Sequence, residues 1–271
     1  MCLGEELSIR NHEKEGVQAL RQAHVELAAW LKENPAAYEI ESLIYTIDFY
    51  LAIASQEEKD GQEVRRMTVA RDRLRELVAR PWGPDRFAVR NRASLFAAKC
   101  SATLGHWSVD RMDRAEALRH FRDAFTELDK VTPERGQADL TTRLPLLESL
   151  EEVFQLMQAH SEEPIAIQKV VERIRVEVAA MEPALRGVPW FERGRLSFDS
   201  VHGSLMLMRE PPQVEGVSFL QKASAGMRSF VQKFPDDTIA SFQFASTLSQ
   251  YGAMRALLKG QVEDGLKDLT E

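Results

Sequence analysis

Only two cysteines, Cys2 and Cys100, occur in 271 residues. That is too few for a disulfide framework, so a reduced, cytoplasmic setting is expected and the fold must rest on its apolar core. Long apolar runs are missing too. The longest, Leu43 to Ala54, is interrupted by Thr46 and Asp48 and is too short to span a bilayer, so no membrane span is expected. Met1 to Arg10 carries acidic residues where a secretory signal would have a basic region and an apolar stretch. There is no basic excess: 35 Lys and Arg stand against 42 Asp and Glu, a net charge of −7. With no interleaved stacking aromatics in its basic segment, the chain lacks the footprint of a nucleic-acid binder.

The usual signatures of chemistry are absent as well. No Gly-x4-Gly-Lys, His-Glu-x2-His, Cys-x2-Cys or Gly-x-Ser-x-Gly occurs. Paired Glu-x2-His units of di-metal bundles are missing, and Asp199-x2-His202 is a lone, substituted version. The best constellation is His106, Asp110, Asp113, Glu116 and His120. Carboxylates there also suit the positive N-terminus of a helix, which accounts for them without a metal. No catalytic residue, metal or cofactor is expected.

What the chain does have is rhythm. From Ala115 to Pro133 it reads AEALRHFRDAFTELDKVTP, with Ala117, Phe121, Ala124 and Leu128 on one stripe of a 3.6-period helix. The small residue recurs as Gly16, Ala70, Ala117, Ala166, Gly216 and Gly265, at gaps of 54, 47, 49, 50 and 49. Four residues after each stands an apolar one: Leu20, Leu74, Phe121, Val170, Leu220 and Leu269. Pro35, Pro84, Pro133, Pro183 and Pro235 keep the same beat, as helix terminators should. The pattern predicts an all-α array of about five long helical hairpins with a period near 50 residues.

Leu104-Gly105 followed by Glu116-Ala117, Phe121, Ala124 and Pro133 resembles the tetratricopeptide repeat. The departures are plain: Ser101 and Ser108 stand where the family has Trp and Tyr, and the period exceeds its usual 34 or so. The texture is most similar to repeat tracts that follow the catalytic domain in some bacterial serine/threonine kinases. The resemblance implies a right-handed α-α superhelix whose concave face docks a partner, with the linked kinase in the parent protein. Leu3-Gly4 precedes Glu15-Gly16 by the interval that separates Gly105 from Glu116, and Gly260 to Glu271 opens a sixth second helix. Residues 1–271 are therefore expected to form one array cut mid-hairpin at both ends, part of a longer protein.

Hairpin by hairpin, Gly16 to Glu33 turns at Asn34-Pro35 into Tyr38 to Gln56, whose Ile40, Leu43, Ile44, Ile47, Leu51 and Ile53 are expected to be buried. Later first helices are Asp139 to Met157 and Trp190 to Met208, with Ile165 to Met181 and Val214 to Phe234 as their partners. Phe242, Phe244, Leu248 and Tyr251 are expected on one more packed helix. Pro145 calls for a helix start or kink nearby. Trp190-Phe191 reads as packing on the preceding helix or as an exposed anchor for a partner.

Charge is segmented. Arg65 to Lys99 has ten basic residues against three acidic, while Met1 to Glu63 has five against thirteen. In the family register Arg92, Leu95, Lys99, Ala102 and His106 make one stripe on an inner helix, suited to an acidic segment or a terminal carboxylate. The alternative is that these arginines solvate the outside or pair with the acidic first repeat. Asp48 beside Tyr45 reads likewise either as a groove-facing carboxylate or as an arginine-paired one. The expected partner-binding residues are Arg92, Lys99, His106, Tyr45 and Asp48, for a protein or peptide partner of acidic character. The function expected is a protein-binding or regulatory scaffold. An all-α enzyme or an oligomerising segment is the alternative.

Overall fold

The computed structural model describes residues 13–58, 62–83, 86–133, 139–160, 164–208, 213 and 215–259. Among them are ten helices and no strand, so the chain is all-α. They are α1 (Glu13–Glu33), α2 (Tyr38–Glu58), α3 (Glu63–Ala79), α4 (Phe87–Asp110) and α5 (Arg114–Asp129). Then follow α6 (Leu140–Ala159), α7 (Pro164–Leu185), α8 (Pro189–Leu207), α9 (Glu215–Lys233) and α10 (Thr238–Lys259). The helices gather into two compact units, Met1–His160 and Ser161–Glu271.

Within the first unit each of α1 to α5 packs on its successor, and α2 touches α4 as α4 touches α6. The even helices thus form a continuous row with the odd ones interleaved. The second unit repeats the scheme: α7, α8, α9 and α10 pack consecutively, and α10 reaches back to α8. No described helix is long and apolar enough to cross a membrane.

The repeating small and apolar positions form the seams. Gly16, Ala70, Ala117 and Gly216 are buried and Ala166 is half-buried. Leu74, Phe121, Val170 and Leu220 are fully buried and Leu20 is half-buried. Each large side chain so buried contributes about 1.5–3 kcal/mol of transfer free energy. Leu3-Gly4, Gly265 and Leu269 lie outside the described residues.

Close approach explains the small partners. A Cβ on Gly105 would stand 2.3 Å from Cε1 of Phe121, whose ring fills that space between α4 and α5. Between α8 and α9 the backbones themselves meet. A Cβ on Gly203 would lie 2.7 Å from the Gly216 carbonyl oxygen, and one on Gly216 2.5 Å from that of Gly203.

Helix ends follow from their sequences. Asp113 caps α5 by accepting from Glu116 N–H at 3.0 Å, Asp139 caps α6 from Thr142 N–H at 3.2 Å, and Asp237 caps α10 from Ala240 N–H at 2.9 Å. The α4–α5 turn closes with Asp113 N–H on Ser108 O at 2.9 Å and Met112 N–H on Val109 O at 2.8 Å. That is a Schellman pair, with Met112 in the left-handed region at φ 61° where glycine is usual.

Pro145 lies inside α6, five residues after its start at Leu140. Three expectations shift. Pro183 does not end α7, which runs two residues further to Leu185. Ile53 is 38% exposed and Phe242 76%, because each points away from the stripe that seats its helix. Phe244, two residues on and so turned by about 200°, packs with Phe230 and Phe234 instead. Phe191 is buried, while Trp190 is half exposed against it, edge to face.

Candidate functional site

Helix α4 is apolar nearly all round, and its buried residues include Val89, Ala93, Ala97, Cys100, Leu104 and Trp107. Burial pushes the Cys100 thiol far above its ordinary range, so it is an inert core residue. One face stays open. Arg92 and His106 are exposed on it, and Lys99 is half-buried between them. Leu95 and Ala102, expected on the same stripe, are buried; the half-buried neighbours there are Phe96 and Thr103. The stripe is thus turned by about one residue from its predicted register.

Phe96 is also where α4 meets α2. Its ring stands edge-on to Phe49 at 5.8 Å and Tyr50 at 6.1 Å, and the Lys99 ammonium lies 5.3 Å from its centroid. At such partly exposed sites a cation–π contact is worth about 0.5–1 kcal/mol. His106 meets the edge of Phe121 at 6.2 Å, and the ring of His160 stacks on Phe121 at 5.8 Å.

Tyr45 and Asp48 belong to another cluster, on the side of α2 facing α1 and α3. Asp48 is held by His24 Nε2 at 3.0 Å and by Arg73 at 3.2 Å. Burial raises its carboxyl above the ordinary range despite those two partners. The Tyr45 hydroxyl donates to Glu41 at 2.7 Å, and the Arg73 guanidinium lies 5.8 Å from the Tyr45 ring. The structure therefore gathers Arg92, Lys99 and His106 on one face and leaves Tyr45 and Asp48 apart from them.

Three arginines of the basic segment, Arg73, Arg75 and Arg80, pair with acids on neighbouring helices. Arg80 grips Glu41 with two N–H bonds, at 2.5 and 2.7 Å. Burial pushes the Glu41 carboxyl up, but the Arg80 and Tyr45 hydrogen bonds and the Arg80 charge prevail and hold it below its ordinary 4.5. Arg75 donates to the buried Glu127 at 2.8 Å and pairs with Asp123 at 3.3 Å, bracing α3 against α5. Lys130 reaches the other oxygen of Glu127 at 2.8 Å. Pairing with the acidic first repeat was one reading of these arginines, and Arg80 with Glu41 and Arg73 with Asp48 realise it; sequence reading missed Arg75 with Glu127, 52 residues apart. The available signal was Glu127 itself, an acid beside the apolar stripe of α5.

The His106 to His120 constellation disperses into structural roles. Asp113 caps α5, while Glu116 takes Arg119 and, at 3.1 Å, His120. Burial pushes the His120 imidazole below its usual range. Among the described residues no three His, Cys, Asp or Glu side chains converge as metal ligands would. No protein-family model matches the chain, and no curated protein matches it.

Proposed function

We propose that the chain is a protein-binding module: one helical repeat array, a right-handed superhelix of the tetratricopeptide type, that holds an acidic segment of a partner protein on its concave face. Its setting is the cytoplasm, and it resembles the tract that follows some bacterial kinase domains. The observation that supports this is the open face of α4, where Arg92, Lys99 and His106 stand seven residues apart beside the half-buried rings of Phe96 and Tyr50. Helical rise puts successive members about 10 Å apart. An extended polyproline II segment has three residues per turn and rises about 3.1 Å per residue, so it meets them with every third side chain.

The partner is thus an extended segment with carboxylates at every third position, its apolar residues lying on Phe96 and Tyr50. Fluorescence polarisation with a labelled peptide carrying three such acids, against a shuffled peptide of equal charge, tests this. The spaced peptide is expected to bind about tenfold tighter, and Arg92→Glu with Lys99→Glu to abolish the difference. Equal binding of both peptides, or no response to the double reversal, removes α4 as the docking face.

A further inference from the structure

We infer that the second unit binds a small organic carboxylate with an apolar body. The site is a cavity between the α7–α8 turn, the first half of α8 and the last half of α9. It measures about 330 Å³, and pockets of this size take whole small ligands. It belongs to a different unit from the α4 face and goes beyond the peptide-docking reading.

The repeat itself explains the cavity. The seam positions Ala117, Phe121, Ala124 and Leu128 of α5 return 99 residues later as Gly216, Leu220, Ala223 and Met227 of α9, and both sets are buried. In the same register Gly226 takes the place of Glu127. In the first unit that carboxylate is only 2% exposed and is gripped by Arg75 and Lys130, each at 2.8 Å. The second unit has no acid at this position. Leu196 leans over Gly226 instead, its Cδ2 2.4 Å from where a Cβ would stand, and the cavity opens beside the two.

Helical spacing sorts the walls by chemistry. Gly226, Ser229, Phe230 and Lys233 follow one another at intervals of three, one and three on one face of α9, and Glu192, Arg195 and Leu196 share a face of α8. Leu196, Phe230 and Phe234 give the cavity an apolar lining, with the two phenyl rings 4.7 Å apart. Two donors flank it. The Lys233 ammonium lies 5.3 Å from the Phe234 centroid and forms no ion pair with a described residue, and the Ser229 hydroxyl makes no hydrogen bond with one. The other charged walls are already answered. Arg195 pairs with Glu192 and Asp199, Glu192 also accepts from Gly187 N–H, and Arg186 stands 3.8 Å from Glu182. One ammonium and one hydroxyl beside apolar side chains suit a single carboxylate that bears an aromatic or branched hydrocarbon group. Such a ligand brings from outside the acid that Gly226 leaves out of the repeat.

Titration of the full chain with 3-phenylpropionate, followed by NMR of the backbone amides, is expected to give saturable shifts with a dissociation constant of about 0.1–1 mM. Two analogues separate charge from body. The amide 3-phenylpropanamide keeps the ring without the charge and propionate keeps the charge without the ring, so each should bind about tenfold more weakly. Lys233 is exposed, so Lys233→Gln should fold as the wild type does and weaken binding about fivefold. Lys233→Arg keeps the cation and should stay within about twofold. Lys169→Gln makes an equal change of charge on α7, outside the cavity, and should leave the affinity within about twofold. Absence of saturable shifts, either analogue binding as tightly as the acid, or equal losses in Lys233→Gln and Lys169→Gln overturns the proposal.

Discussion

Helix α3 has two flanks of similar composition and opposite condition. Toward α5 its arginine is answered by carboxylates, one of them, Glu127, only 2% exposed. Toward α1 its arginines face a further arginine across an open cavity. The same residue type braces a buried seam on one side and lines an open recess on the other. An arginine-rich helix is therefore neither structural nor functional by composition; the neighbour that each face meets decides.

The largest expected effect breaks the closed flank at its base. Phe121→Ala removes the ring that seats α5 on α4 and should cost about 3–5 kcal/mol in denaturant unfolding. A loss below about 1 kcal/mol would show that the ring is no seam anchor. Next is Glu127→Gln, which strips the buried acid from Arg75 and Lys130. A fully buried pair broken this way costs about 3–5 kcal/mol, but both cations are partly solvated, so about 2 kcal/mol is expected, again by denaturant melt.

Acid sharpens the same contrast. Because the Glu41 carboxyl is held below 4.5, its grip on Arg80 stabilises the fold fully above that pH. The contribution is lost as the pH falls through the lower folded value. The melting temperature of the wild type should drop below pH 4.5 more steeply than that of Glu41→Gln, whose melting temperature lacks this component; parallel profiles would mean that the pair carries no linkage. Smallest is the open flank. Arg65→Gln should change stability by less than about 0.5 kcal/mol, and towards greater stability at low salt, since it relieves like-charge repulsion. A loss of about 2 kcal/mol would place Arg65 among the structural arginines.

Several features of this architecture were legible before any coordinates. The stripe Ala117, Phe121, Ala124 and Leu128 is fully buried, because an amphipathic helix with one apolar face has one way to pack. The predicted hairpin limits at 139–157 and 190–208 fall within two residues of α6 and α8. The face of α4 was harder. With apolar residues around most of its circumference, the period hardly distinguishes Leu95 from Phe96, and the outward stripe came out one residue displaced. Phe242 shows the same limit, since hydrophobicity alone does not say which side of α10 finds a neighbour. The pairings of Arg75 and Arg80 depend on helix spacing across 52 and 39 residues, which no local pattern encodes.

The meeting of Gly203 with Gly216 acts as a notch between two rods. With no Cβ at either position, α8 and α9 drop together until carbonyls nearly touch the opposite Cα atoms, a depth that their neighbours forbid. Sliding α9 by one residue would bring Val217 to the place of Gly216, and its branched side chain would lever the rods apart. The pair therefore sets longitudinal alignment as well as separation. A methyl added at either position acts on the whole length of that hairpin, shifting the Arg175 and His202 contacts on Phe219 along with it.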